Sequence, residues 1–291
     1  MNQKSFTLIE ILVVIVIVGI LSAFIIVSMA GVSSRATIAK GQAFSNSIKN
    51  SLMMNLVSEW RLDDASGTTI QDQWGTNPGT WYGSGGGDYT SPSWRTSSEC
   101  VSNGCLAFDG TDDYVDCGSG NSLDIVNAIT ISAWTKTSNS FYNTVVHRGN
   151  NGWGSGYWLC VRSGSTTDNR FGIQGVDNGS WGTYPDDGQW HNVVGIYSKS
   201  EGKIKVYLDG INKLNKAVGG TPAGFSGQNL LIGLVDLPQY PFNGLMDDVR
   251  IYNAAVPASQ IQQNYYAGLN WLLVKNQISG KDYGQRLAFL D

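Results

Sequence analysis

One carboxylate stands at the edge of a long apolar run. Glu10 precedes residues 11–30, twenty positions without a charge. At about 1.5 Å per residue, a helix of that length spans roughly 30 Å, the thickness of a bilayer's hydrocarbon core. A charge isolated at the centre of such a helix costs about 2.5–3.5 kcal/mol, so Glu10 either sits at headgroup level or has a cationic partner. Other residues suit binding. Trp153 in NGWGSG, and Trp181 and Tyr184 in WGTY, stand in glycine-rich stretches where a ring can stack on a sugar. The alternative for these rings is burial in their loop or at a subunit contact. In GLMDDVRIY, alternation places Asp247 on the face of Val249 and Ile251, hence inward. A bare carboxylate is costly there unless a metal or backbone donors satisfy it. Cys100 and Cys105 flank Val-Ser-Asn-Gly, a turn-like stretch over which a small disulfide loop closes if the segment lies outside the cytoplasm. Cys117 and Cys160 sit in strand-like runs and read as buried thiols.

Several chemistries are disfavoured. Zinc has only His147 and His191 to draw on, and neither is near a cysteine pair. The four glutamates, Glu10, Glu59, Glu99 and Glu201, form no paired cluster of the kind glycoside hydrolysis needs, and no G-x-S-x-G elbow occurs. His191, in QWHNVV, enters a strand and reads as structural. An enzyme is not expected. The net charge of −4, with no run of Lys and Arg, argues against a nucleic-acid partner.

The elements that position these residues follow from composition and period. Among 291 residues, 36 are Gly, 10 Trp and 13 Tyr, and only 14 % are charged, which suits short strands and many turns. The apolar run is too long and too β-branched for a secretory signal, and no A-x-A site follows it. Lys4 before it places the N-terminus in the cytoplasm and the body outside. Phe44, Ile48, Leu52 and Leu56 recur every four residues, with Arg35, Lys40 and Lys49 for a wet side, so the helix continues beyond the membrane. At Val57 the pattern changes. Leu106 with Phe108, Ile129 with Ile131 and Ala133, Ile204 with Val206 and Leu208, and Leu245 with Val249 and Ile251 each form one face of a strand. Strands at this spacing without a βαβ rhythm predict an antiparallel β-sandwich or jelly roll, with Trp60, Trp134 and Trp190 in its core. A short helix is predicted over 257–267, ended by Gly268, and two small helices follow, the last opened by Ser279 and Asp282.

The segment KSFTLIEILVVIVIVGILSA, residues 4–23, resembles the N-terminal helix of the type IV pilin and pseudopilin family. The resemblance implies a leader of residues 1–5, cleaved by a prepilin peptidase between Ser5 and Phe6, and N-methylation of the new Phe6 amine. It also implies that Glu10 pairs with the Phe6 amine of a neighbouring subunit during assembly. Ser5 stands where the family usually has Gly. A pair of opposite charges is the form in which either is tolerated in lipid.

Five further stretches resemble the laminin-G-like, concanavalin A-like jelly rolls. They are WRLDDASGTTIQDQWG, CLAFDGTDDYVDCG, QWHNVVGIY, KVYLDG and FNGLMDDVRIYNAAVP, together spanning roughly residues 57–267. This second resemblance implies a calcium site at Asp63, Asp64, Asp72 and Asp247; Asp109, Asp112, Asp113 and Asp116 are a rival cluster, but acidic residues in a GTDDY turn mostly read as turn formers. The expected layout is thus mainly β: a pilin-type helix over 6–56, spanning the membrane at about 8–30, the jelly roll over 57–267 and a helical tail over 268–291. The expected role is a surface filament subunit, a membrane-held precursor that joins copies of itself or other pilins and displays an adhesive domain. The alternatives are a minor tip pilin recognising a glycan or surface protein, and a pseudopilin of a secretion or DNA-uptake system.

Overall fold

The computed structural model describes residues 55–83, 93–139, 142–149, 156–162, 169–185, 187–223, 225, 227–235 and 240–288, with Ile15 and Ile17. The chain divides into two units, residues 1–53 and 54–291. Apart from Ile15 and Ile17, residues 1–54, and with them Ser5, Phe6, Glu10, the expected membrane span and its amphipathic continuation, lie outside the described residues. Among those described, no helix is long and apolar enough to cross a membrane. Leu56, which the four-residue repeat assigned to the helix, instead opens a strand.

Two sheets form the second unit. The first runs, in spatial order, β14 (Ile211–Ala217), β13 (Lys203–Leu208), β12 (His191–Ser198), β7 (Ala128–Lys136), β16 (Asn243–Tyr252), β5 (Gly104–Asp109) and β4 (Ser93–Thr96), with β1 (Leu56–Trp60) also on β16. The second runs β11 (Asp177–Ser180), β10 (Arg170–Ile173), β9 (Tyr157–Val161), β8 (Asn143–Arg148), β15 (Leu230–Ile232), β6 (Tyr114–Asp116), β3 (Gly79–Tyr82) and β2 (Thr69–Ile70). Every pairing among these strands is antiparallel. Late strands insert between early ones, β15 between β8 and β6 and β16 between β7 and β5, which makes the sandwich a jelly roll rather than a meander. The predicted strand faces meet between the sheets: Leu106, Phe108, Ile129, Ile131, Ala133, Ile204, Val206 and Leu208 pack against Val145, Leu159, Val161 and Phe171. Trp60 is in this core.

The outer face of the first sheet is covered by helices. α1 (Ala258–Val274) and α2 (Gly280–Ala288) close over a second apolar cluster containing Trp134, Trp190, Tyr265, Leu269, Leu272, Ile278 and the Cys100 and Cys105 side chains. α2 starts as its sequence predicts. Ser279 donates its hydroxyl to Asp282 at 2.6 Å and accepts the Asp282 N–H at 3.1 Å.

α1 does not stop at Gly268, as a glycine after an apolar stretch would suggest, but continues a further turn and more. The reason is tertiary. Gly268 lies against the Trp134 indole, where an added Cβ would come within 2.2 Å of Cζ2. The residue is a close-approach position inside a helix, and its hydrogen suits the stacked Trp134–Tyr265 pair beside it. In an open helix, replacing Gly with Ala gains about 1 kcal/mol. At this contact overpacking, typically about 1–3 kcal/mol, opposes that gain. Gly268→Ala is therefore expected to lower the stability of the full-length protein in chemical denaturation, and an increase would contradict the packing described here.

Candidate functional site

The candidate site residues sort by where β16 places them. Its register against β7 shifts between Asp247 and Arg250, leaving one extra residue on β16, and Asp248 at that point has φ +53°. This bulge reverses the alternation. Met246 packs in the sandwich core while Leu245 packs under the helices, so Leu245 does not share the face of Val249 and Ile251. Asp247 likewise leaves the core face on which alternation put it.

Asp247 is fully buried and meets the disulfide loop. Ser102 gives it a backbone N–H on Oδ2 and a hydroxyl on Oδ1, both at 2.8 Å. The Cys100–Cys105 bond expected from the sequence closes that loop, with Cα atoms 5.4 Å apart. From the other side, Lys275 Nζ donates to the carbonyls of Cys100 and Val101, each at 3.3 Å, and to that of Ser102. Gln277 donates to the Cys100 carbonyl at 2.6 Å. Burial, and then the charge of Asp248, push the Asp247 carboxyl well above the usual carboxylate range, against the Ser102 donors and Lys275. Cys117 and Cys160 are buried and outside any disulfide, and burial pushes the Cys117 thiol up.

The other aspartates of the implied calcium site are engaged separately. Asp72 Oδ1 accepts the backbone N–H groups of Glu59, Trp74 and Gly75 at 3.0, 3.1 and 2.8 Å, and Oδ2 accepts that of Asn77 at 3.0 Å. Burial disfavours its charge, yet these donors outweigh burial and hold its carboxyl below the ordinary range. Asp64 accepts the Gln71 N–H at 3.3 Å, and Asp63 accepts the Asn103 amide at 3.4 Å. Asp63, Asp64, Asp72 and Asp247 do not converge on one point. Among the described residues, the carboxylates that do are Asp109, Asp112 and Asp113, with ligand oxygens within 4.8 Å of one another. Burial, with the charges of Asp109 and Asp112 adding to it, raises Asp113 to about 6 despite the Asp109 N–H bonded to it. Asp116 stands apart, accepting from the Gly118 N–H and the Asn229 amide, both at 2.8 Å.

The aromatic candidates are corrected by burial. Trp181 and Tyr184 are 1 % and 0 % exposed, so neither can stack on a sugar. Their loop folds back over the end of the sandwich, and both rings join its core. The Tyr184 hydroxyl donates to the Thr135 carbonyl at 3.0 Å. Trp153 lies outside the described residues. Beneath this loop His191 is held from both sides: Nδ1 is 2.6 Å from Asp209 Oδ2 and Nε2 is 3.0 Å from Asp187 Oδ1. Burial works against its charge, but the two aspartates outweigh burial and raise its pKa to about 9. The His191 hydrogen bond in turn lowers Asp187 to about 2. Nothing in the local sequence flags this trio, because Asp209 reaches His191 from the turn after β13.

Residues 109–262 match the family described as the concanavalin A-like lectin/glucanases superfamily. The chain belongs to that superfamily. Residues 1–26 match the prokaryotic N-terminal methylation motif, so a type IV pilin N-terminus is fused to a laminin-G-like domain. No curated protein matches the chain. Among solved structures, the lectin-like domain is similar to domain 4 of AbnA, a GH43 extracellular arabinanase from Geobacillus stearothermophilus, solved with arabinotriose. The identity is 20 %, the coverage 72 % of this chain and 97 % of that one, and the TM-score 0.51. The receptor-binding domain of botulinum neurotoxin mosaic serotype C/D is 12 % identical over 75 % of this chain and 52 % of that one, at TM-score 0.53. The binding domain of Paraclostridial Mosquitocidal Protein 1 is 12 % identical over 75 % and 53 %, at 0.51. The chain spans about half the length of the two toxin domains. At these identities the likeness is one of fold.

Two measurements follow from the geometry. Removing the Asp247 carboxylate in Asp247→Ala leaves the Ser102 donors unpaired, a loss of about 1–3 kcal/mol. The loss is expected to be equal in EDTA and in calcium, and a loss confined to calcium would make Asp247 a metal ligand after all. His191, with its folded pKa raised from 6.5 to about 9, contributes its full stability below pH 6.5 and loses it as pH rises toward 9. Asp187, lowered from 3.8 to about 2, contributes above pH 3.8 and loses its share as pH falls toward 2. The melting temperature should thus fall between pH 6.5 and 9 in the wild type, and this part of the fall should be missing in His191→Asn.

Proposed function

We propose that this pilin-like surface protein is a subunit of an extracellular filament whose lectin-like domain serves adhesion. The observation that carries the reading is the presence on one chain of the N-terminal methylation motif and a lectin-like jelly roll. In this reading prepilin peptidase cuts between Ser5 and Phe6, and the membrane holds the precursor with its body outside. Glu10 then pairs with the Phe6 amine of the preceding subunit, which sets the axial register. The Cys100–Cys105 bond supports a body outside the cytoplasm, since disulfides persist in oxidising compartments. The domain acts by binding rather than by catalysis, and a glycan is the ligand class its superfamily makes most natural.

The test is assembly. Mass spectrometry of sheared surface filaments should find a chain starting at N-methylated Phe6. Glu10→Ala should give normal amounts of mature-length protein in the membrane and few or no filaments. Wild-type filament numbers from the variant would reject the pairing role, and a mature chain starting at Met1 or beyond residue 30 would reject the filament reading.

A further inference from the structure

The docked tail creates a cleft that the sandwich lacks alone. Between the loop leading into β12 and the α1–α2 turn lies an open space of about 630 Å³. Ligand sites typically occupy about 300–1,000 Å³. Its lining is unusual in chemistry rather than size. It contains Asp187, Gln189, Gln277, Asp282, Gln285 and Arg286, with Ile278 as its apolar member. The cleft offers polar and apolar surface in similar measure, as a sugar ring does. A ligand dense in hydroxyl groups finds donors and acceptors at every wall.

The charged groups are fixed from behind, so that ligand binding need not immobilise them. Asp187 Oδ1 accepts from His191 Nε2 at 3.0 Å and from the Gln189 N–H at 2.8 Å. Arg286 donates Nη1 to the Trp190 carbonyl at 2.8 Å. Asp282 is anchored by the Ser279 hydroxyl at 2.6 Å. Asp187 on one wall and Asp282 with Arg286 on α2 at the other give a formal balance of −1 that disfavours an anionic ligand.

We propose that this cleft binds a neutral oligosaccharide, with Asp187 and Arg286 taking adjacent hydroxyls and Gln189 and Gln285 contacting the flanking sugar. The proposal rests on reading the domain as a lectin-like surface module, and it names that module's binding site. The site is specific to this chain. Seven of its nine lining residues come from residues 276–286, beyond the 109–262 stretch that matches the superfamily. It also explains how the Trp181–Tyr184 loop serves binding with both rings buried: the loop's continuation presents Asp187, and His191 beneath it holds that carboxylate in place.

The test uses the full-length protein in detergent on a glycan array printed with neutral tri- to pentasaccharides, arabinotriose among them, and with trigalacturonate as the anionic counterpart. Wild-type protein should retain at least one neutral glycan and leave trigalacturonate. Gln285 is exposed and has no structural hydrogen bond among those described, so Gln285→Trp should fill the cleft at unchanged melting temperature and weaken binding by roughly tenfold or more. Gln189→Ala, a truncation at the opposite wall, should weaken the same glycan. Neutral-glycan binding that survives both variants would place the sugar elsewhere, overturning the cleft while keeping the lectin-like reading. Selective binding of trigalacturonate would overturn the charge argument and the proposal with it. Binding of no glycan by the wild type would overturn the cleft and the glycan ligand together, while filament assembly reports independently on the subunit.

Discussion

One extra residue in β16 governs where the polar groups of this domain face. β16 pairs with β7 along one edge and with β5 and then β1 along the other, so a register change in it is felt across the first sheet. The bulge at Asp247–Asp248 lets Met246 and Val249 both enter the core. It also turns Asp247 outward, toward the disulfide loop, at the cost of a left-handed backbone at a non-glycine residue. That conformation persists because ion pairs hold it. Asp248 pairs with Arg250 at 3.2 Å, and Arg250 with Glu59 of β1 at 2.7 Å. Burial raises Asp248 while the Arg250 charge opposes the rise. Removing one partner would strand a buried charge, which is the costly way to break such a network.

The same turn joins the sandwich to its tail. The loop of Cys100 to Cys105 is short, and its backbone carbonyls point at the end of α1, where Lys275 and Gln277 take them up. Asp247 satisfies Ser102 from below. Cys100, Val101 and Asp247 are buried, and their oxygens would lack partners there without Lys275, Gln277 and Ser102. The helices gain their apolar cover from Trp134 and Trp190, and Gly268 lets α1 lie directly on the Trp134 ring. Docking of the tail is thus both an apolar contact and a closed set of hydrogen bonds, and the second requirement fixes its position more narrowly than the first.

Much of this was legible in residue order. The strand faces of β5, β7 and β13 follow a strict period of two, and their apolar residues are in the core. The Ser279–Asp282 start of α2 follows from local hydrogen bonding, and the Cys100–Cys105 bond from five residues of separation and a turn. Where the reading failed, a long-range contact outweighed a local preference. Gly268 is a helix stop by propensity and an interior contact by packing. Trp181 and Tyr184 lie in a glycine-rich loop, which reads as exposed, yet that loop folds onto the core.

What the sequence by itself determined is whatever depends on neighbours within a few residues. It carried the pilin-type N-terminus, because a charge beside twenty apolar residues and the KSFTLIE order are local. It carried the jelly roll, because alternation and turn residues are local too. What only the tertiary structure decided is the fate of the polar groups. A bulge shifts every later side chain of β16 by one position, and no residue type announces it. Whether Asp247 meets a metal or Ser102, and whether Asp187 stands free or leans on His191, depends on segments more than a hundred residues apart in the first case and on the turn after β13 in the second. A buried carboxylate must find a partner somewhere, and folding, rather than residue order, chooses which.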